Sequence, residues 1–282
     1  MRLPPWLRKR MGPSGAVHGL KKGLRQKGLH TVCEQARCPN MGECFARGTA
    51  TIMIMGELCT RRCRFCAVSG GDPAPLDPDE PGRVACQVRE MGLKHAVITS
   101  VTRDDQADGG AGHFAKTVLS VRRLCPGTTI EVLTPDFGGR TGPIETVCGT
   151  QPTVFNHNIE TVERLTPSIR DSRASYRRTL DVLKAARDLL GGKGKVKSGL
   201  MVGLGETDEE VDGALFDLAR AGCDIATVGQ YLAPSKDAAP VRRYVEPKTF
   251  QKYETMGLKH GIKYLFSGPF VRSSYLADKA LL

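Results

Sequence analysis

The 282-residue sequence predicts an α/β fold: a partial (β/α)6 TIM-type barrel with N-terminal and C-terminal extensions covering its mouth. Three observations carry that prediction. Short β-branched and apolar runs bounded by Gly and Pro alternate with longer amphipathic runs, the pattern of βα units around a parallel sheet. About six such units follow one another along the chain. A complete eight-unit barrel needs about 250 residues, more than remains once the two termini are set aside.

The strands are read in order. Thr49–Gly56 (TATIMIMG) comes first and runs directly into a Cys-rich loop. His95–Val101 (HAVITSV) leads into Thr102–Gly110 (TRDDQADGG), whose glycines permit positive φ and a close backbone approach to a ligand. Thr129–Pro135 (TIEVLTP) follows, then Thr153–Asn158 (TVFNHN), an apolar run ending in polar residues that turns Asn158 and Glu160 toward the barrel mouth. Val196–Leu204, Asp224–Tyr231 and Lys263–Pro269 are the later strands, with helical patterns between them such as Ala174–Leu190 and Asp208–Ala221. Gly203–Glu206 (GLGE) lacks the spacing of a phosphate loop and reads as a turn.

Sites in such barrels form at the C-terminal ends of the strands. A barrel of residues 49–245 is therefore expected to have segments 1–48 and 246–282 folded over its mouth, as one globular unit. No apolar run approaches the ~18 residues of a membrane span. Nor is a secretory leader read, so a soluble, cytoplasmic chain with no membrane contact is expected.

Ten cysteines include the run CTRRCRFC, with Cys59, Cys63 and Cys66 at spacings of four and three residues. Such a triplet can hold three corners of a 4Fe–4S cube. Clusters are usually held by four thiolates. A fourth is missing here, so one iron would stay open to a small molecule, as at metal sites that do chemistry. Structural zinc would show two Cys pairs or a Cys pair and a His pair, and neither is present. Ten cysteines in 282 residues also fall short of a disulfide scaffold. A second triplet, Cys33, Cys38 and Cys44 in CEQARCPNMGEC, has spacings of five and six and reads as a distinct site. Cys86, Cys125, Cys148 and Cys223 are scattered and read as core or incidental. Arg61, Arg62 and Arg64 either lower the thiolate pKa or form a solvated loop face, and the sequence leaves both open.

CTRRCRFC resembles the signature of radical S-adenosylmethionine enzymes. Together with CEQARCPNMGEC and the late RSSY (Arg272–Tyr275), it is similar to the lipoyl synthases. Supporting stretches such as PPWLRKR, IEVLTPDF, VFNHNIETV, KSGLMVGLGET and SGPFVRSSY run along nearly the whole chain. The resemblance implies insertion of two sulfur atoms, at carbons 6 and 8 of an octanoyl chain on a carrier lysine. Two S-adenosylmethionine molecules and two 4Fe–4S clusters are implied. Cys59, Cys63 and Cys66 would hold the radical cluster. Cys33, Cys38, Cys44 and Ser273 would hold an auxiliary cluster that is the source of sulfur, its serine corner being harder and weaker than thiolate. Without the resemblance, Ser273 reads as a surface hydroxyl near a frayed terminus.

For the S-adenosylmethionine pocket, Asn158 and Glu160 correspond to the N-H-N-L-D stretch of biotin synthases that meets ribose hydroxyls. His157 reads as packing. Arg173 is a candidate for the cofactor carboxylate, against a solvated helix-face arginine. Thr102, Gln106, Phe45 and Leu276 depart from the family's usual residues, and no ligand position is affected.

The formal net charge is +11, and the first 30 residues hold eight Lys or Arg with no Asp or Glu. That arm can steer acidic partners; nucleic-acid binding and a disordered arm are its alternatives, and the partner reading adopted is no nucleic acid. The implied partners are octanoylated lipoyl-carrier domains of 2-oxoacid dehydrogenases and the glycine cleavage H protein, an electron donor such as flavodoxin or ferredoxin, and an iron–sulfur cluster carrier. A monomer is implied. Two other classes stay in view: a biotin-synthase-like radical enzyme, against which the early triplet and RSSY stand, and a non-catalytic cluster protein, which would not need an open iron.

Overall fold

A computed structural model describes residues 3–8, 24, 27–35, 38, 40–46, 49–275 and 277, with backbone alone at 45 and 46. Most of the basic arm, the Phe45 side chain and Leu276 lie outside the described residues.

Among the described residues, eight strands form one sheet in sequential order. The first, β1 (His30–Thr31), runs antiparallel to β2 (Thr49–Ile54), with His30 opposite Met53. From β2 onward every pairing is parallel: β3 (His95–Ser100), β4 (Thr129–Leu133), β5 (Val154–Asn156), β6 (Lys195–Val202), β7 (Ile225–Gln230) and β8 (Tyr264–Gly268). The sheet is open, with β1 and β8 at its edges. Strands buried on both faces read as unbroken apolar runs rather than alternating ones, and all six residues of β2 and of β7 are buried.

Before β2 lie the short helices α1 (Val32–Gln35) and α2 (Met41–Ala46). The barrel helices are α3 (Glu80–Glu90), α4 (Ala111–Leu124), α5 (Thr141–Gly149), a single turn α6 (Thr166–Ile169), α7 (Tyr176–Leu190), α8 (Asp208–Arg220) and α9 (Pro247–Lys259). They pack pairwise around the sheet, α3 on α4, α4 on α5, α5 on α7 and α8 on α9. Helix ends follow local chemistry. Thr207 and Glu210 form a reciprocal capping box at α8, and Ser175 caps α7, which stops at Gly191 in the left-handed region.

The partial barrel therefore consists of six βα units and a seventh parallel strand. The sheet runs on past residue 245, because α9 and β8 complete the last crossover from β7. The far C-terminal tail then crosses β7 so closely that a Cβ at Gly229 would sit 2.1 Å from the Val271 carbonyl oxygen. Only glycine leaves room for that crossing.

The lower barrel interior is polar. Glu131 of β4, fully buried, takes Lys197 Nζ at 3.0 and 3.1 Å and Asn156 Nδ2 at 2.7 Å. Desolvation favours the neutral acid here. The charges of Lys197 and His95 outweigh it and hold the carboxyl down to about 2.

Candidate functional site

The loop carrying Cys59, Cys63 and Cys66 leaves β2 through two left-handed residues, Met55 (φ 68°) and Gly56 (φ 92°). Met55 is a non-glycine in that region and is held there against its preference. Its amide donates to Glu80 Oε2 at 2.9 Å, and its carbonyl accepts from Arg103 Nη1 at 3.3 Å. Glu80 is itself fixed by His113 Nε2 at 2.7 Å. The exit direction of the loop is therefore set by α3 and α4. Gly109 and Gly110 also have positive φ, but they pack against Phe137 and Met55. The Thr102–Gly110 stretch in this way buttresses the loop.

Backbone amides from three loops converge on the sulfurs. Arg61 N and Thr102 N donate to Cys59 Sγ at 3.4 and 3.3 Å. Asp171 N donates to Cys63 Sγ at 3.3 Å and Val68 N to Cys66 Sγ at 3.4 Å. Amide donors to sulfur stabilise thiolate and are a principal lever on cluster potential. In the thiol form, burial pushes Cys66 up to about 11, aided by the negative neighbours Cys63, Glu160 and Cys59, and burial also raises Cys63. Loading a metal cluster must therefore displace protons.

Among the described residues, no three His, Cys, Asp or Glu side chains converge as a single metal ion requires. A cubane, by contrast, spreads its thiolates over separate irons. Three sulfurs that each accept a backbone amide, with Cys59 and Cys63 close enough to act on Cys66, are a donor set that fits a cluster.

The arginines between the ligands divide. Arg61 is 6% exposed and forks onto two carboxylates: Asp104 at 2.8 and 2.9 Å, Asp136 at 2.7 and 3.0 Å. Burial alone would lower its pKa, but the two carboxylates outweigh that and raise it. Arg61 is a clamp joining the cluster loop to the loops after β3 and β4, and its charge is already matched. Arg62 and Arg64 are exposed, and Arg64 bonds the Ser168 carbonyl at 3.2 Å. One of the three is thus structural and two sit on the solvated face.

Asn158 and Glu160 lie just after β5 on the same mouth. Glu160 is a half-buried residue with φ 67°, bonded through its backbone to Gly199 and Met201. Burial raises its pKa, opposed by Arg170 and by a hydrogen bond from Asn158. Its charge reaches both Cys63 and Cys66. A Cβ at Gly199 would lie 2.8 Å from Asn158 Oδ1, so that glycine leaves space for the amide. Asn158 Oδ1, Thr161 Oγ1 and Arg170 Nε are buried without a hydrogen-bond partner. Three such atoms in one short region leave donors and acceptors free to meet a polar ligand. These residues fit the polar groups of S-adenosylmethionine. His157 is buried and spans Thr134 O (2.8 Å) and Thr179 Oγ1 (3.2 Å), with its pKa lowered to about 4 by burial and then by Arg170.

Arg173 is 48% exposed. Its guanidinium is engaged by Asp171 Oδ1 at 2.9 Å, by Asp104 Oδ2 at 3.2 Å and by the Thr60 carbonyl. It therefore braces the cluster loop. Arg170, 9% exposed and close to Cys63 and Glu160, was not singled out on the sequence. A lone arginine in a loop carries no pattern that would have found it.

The first triplet forms a second region. Cys33 lies in α1, Cys44 in α2 and Cys38 between them, with Cys38 N bonded to Cys33 O at 3.0 Å. Burial, reinforced by Cys38, raises Cys33 to about 11. The C-terminal tail docks on this segment at two points. Asn40 Nδ2 donates to Phe270 O at 2.6 Å, and Tyr275 OH donates to Glu43 Oε1 at 2.9 Å. Ser273, half-buried, lies in the turn between those anchors, closed by Tyr275 N to Arg272 O at 2.9 Å. Elsewhere, Trp6 Nε1 donates to Val245 O at 3.1 Å, fastening the N-terminal segment to the loop between β7 and α9.

Comparison with known proteins follows the same division. Residues 53–218 match the radical SAM superfamily, and residues 1–38 match the N-terminal domain of lipoyl synthase of that family. The lipoyl synthase of Caldanaerobacter subterraneus subsp. tengcongensis is 52% identical over 100% of this chain and 98% of that one. The lipoyl synthase of Thermus thermophilus is 49% identical over 99% and 86%. Among solved structures, Streptococcus suis SuiB bound to its precursor peptide has a TM-score of 0.60 at 9% identity, covering 90% of this chain and 53% of that one. HydG, a maturase of the FeFe-hydrogenase, has 0.58 at 15%, covering 93% and 74%. These structural likenesses carry the fold alone. The end-to-end identity to the two synthases carries the family: the chain belongs to the lipoyl synthases of the radical SAM superfamily.

Proposed function

We propose that the chain converts a protein-bound octanoyl-lysine to lipoyl-lysine, inserting sulfur at carbons 6 and 8. Two S-adenosylmethionine molecules are used, and the sulfur comes from an auxiliary 4Fe–4S cluster. Docking of the Arg272–Tyr275 turn onto the first-triplet segment supports this reading most directly. A biotin-synthase-like enzyme or a relay protein would not require that contact.

Cys59, Cys63 and Cys66 would hold the radical cluster, leaving one iron for S-adenosylmethionine. When bound, the pair supplies a 5′-deoxyadenosyl radical able to take hydrogen from an unactivated carbon. Asn158 and Glu160 would receive the ribose hydroxyls, Glu160 accepting as a carboxylate. The Arg61 clamp and the amide-to-sulfur bonds keep the loop in one geometry, so little reorganisation accompanies binding. Cys33, Cys38, Cys44 and Ser273 would hold the auxiliary cluster, with the tail anchors keeping Ser273 over the same segment. Partners in this reading are octanoylated carrier domains, a flavodoxin- or ferredoxin-type donor and a cluster carrier. Among the described residues, no helix is long and apolar enough to cross a membrane.

The test is mass spectrometry of an octanoyl-lysyl carrier peptide after anaerobic incubation with reconstituted protein, S-adenosylmethionine and reductant. Gain of two sulfur atoms is the expected result. 5′-Deoxyadenosine without sulfur gain would assign another substrate, and neither product with both clusters loaded would overturn the catalytic reading.

A further inference from the structure

The four cysteines outside the triplets divide. Cys148 and Cys223 are buried, whereas Cys86 on α3 and Cys125 at the end of α4 are half-buried thiols that water reaches. α3 and α4 pack on one another, and these two thiols meet at the seam. Cys125 Sγ donates to the carbonyl of Ala85, the residue before Cys86, at 3.9 Å. The Cys86 Cα lies about 2.8 Å from that oxygen across a trans peptide, which puts it within about 7 Å of Cys125 Sγ. A disulfide joins Cα atoms roughly 4.4–6.8 Å apart, a span this seam can close.

Electrostatics agree with the geometry. Burial raises the Cys125 thiol, the Arg89 guanidinium opposes that, and the Cys86 sulfur raises it again, so each thiol feels the other's charge. Cys125 comes just before β4 begins at Thr129, at the end of the barrel opposite the loop that leaves β2 with Cys59, Cys63 and Cys66. Neither thiol is a spare ligand for that loop.

We propose that Cys86 and Cys125 are a redox pair that closes a reversible disulfide between α3 and α4. The oxidant is a low-molecular-weight disulfide of the glutathione class. One cysteine thiolate attacks it, forming a mixed disulfide and releasing one small thiolate. The second cysteine thiolate then attacks the protein-bound sulfur and releases the other. The cysteines lose two electrons, the small disulfide becomes two thiols, and the two cysteine protons end on those thiols. The bond ties together the helices that set the exit of the cluster loop, since Glu80 of α3 and His113 of α4 hold Met55. It also restricts the unfolded chain between residues 86 and 125.

The test is disulfide mapping. Protein with its clusters loaded, its iron content followed throughout, is incubated anaerobically with glutathione disulfide, quenched in acid, alkylated and digested with trypsin. The expected product is peptide Val84–Arg89 joined to Leu124–Arg140, absent before oxidation and removed by dithiothreitol. Cys86→Ser should leave Cys125 carrying one glutathione, and Cys125→Ser should leave Cys86 carrying one. At equal iron content, oxidised wild type should unfold at a higher urea midpoint than reduced wild type, and Cys86→Ser should show no such shift. Glutathione on both cysteines of one wild-type molecule, both thiols still open to alkylation, or a linked pair with an unchanged midpoint overturns the proposal.

Discussion

Replacing Arg61 with Met removes the cation but keeps most of its volume. It leaves Asp136, 1% exposed, as a buried carboxylate without its main partner. Removing one member of a buried pair costs about 3–5 kcal/mol, because the remaining charge is uncompensated. Asp136 would keep the Gly138 amide at 3.0 Å and a distant Arg178 at 3.6 Å. The loss therefore falls at the lower end, about 3 kcal/mol or roughly 150-fold in the folding equilibrium. Asp104 is 27% exposed and keeps Thr60, so its part is small. Urea unfolding of the metal-free protein, followed by far-UV circular dichroism, measures this as a shift in midpoint at unchanged slope. Arg61→Lys should lose an intermediate amount, since one ammonium cannot reproduce a double fork. The variant with both Arg61→Met and Asp136→Asn should lose less than the sum of the two single changes. In wild type, Asp136 is held well below its ordinary pKa because Arg61 outweighs the effect of burial. The contribution of the pair is thus present above pH ~4 and is lost as pH falls below the unfolded value. A cost below about 1 kcal/mol, typical of exposed pairs, would refute the clamp and return Arg61 to the solvated-face reading.

Cys63→Ala should abolish 5′-deoxyadenosine formation while leaving auxiliary iron in place, and Cys38→Ala should do the reverse, keeping cleavage and stopping sulfur insertion. Product and iron analysis of both variants checks this, and sulfur insertion without cleavage would break the division of labour. Gly229→Ala puts a Cβ against the Val271 carbonyl and should displace the tail. Sulfur insertion then falls at least tenfold while cleavage changes little; equal loss of both would place the effect in the sheet. His157 has its pKa lowered to about 4 by burial, so below pH 6.5 the unfolded chain takes up a proton that the folded one refuses. Stability should fall by about 3 kcal/mol between pH 6.5 and 4 through this residue alone. In His157→Gln that component of the pH dependence should be absent from urea midpoints.

The sequence by itself determined where the strands from β2 to β8 fall, because their short runs rich in β-branched and apolar residues, most fully buried in β2 and β7, are bounded by turn residues. It also determined the helix ends at Thr207 and Gly191 and the two cysteine triplets, since ligand spacing within one loop is a local property. The tertiary structure decided the rest. β1 is two residues long, too short for any periodicity, and exists through its pairing with Met53 and Ile52. That β8, beyond residue 245, pairs with β7 in the same sheet is likewise a tertiary contact. Arg61 became a clamp through Asp104 and Asp136, 43 and 75 residues away. Arg170 and Arg173 are three positions apart and alike on paper, yet one is buried with an unpartnered Nε and the other is exposed and saturated. What an arginine does depends on which carboxylates reach it and how much water it keeps, and both are set by contacts distant in sequence.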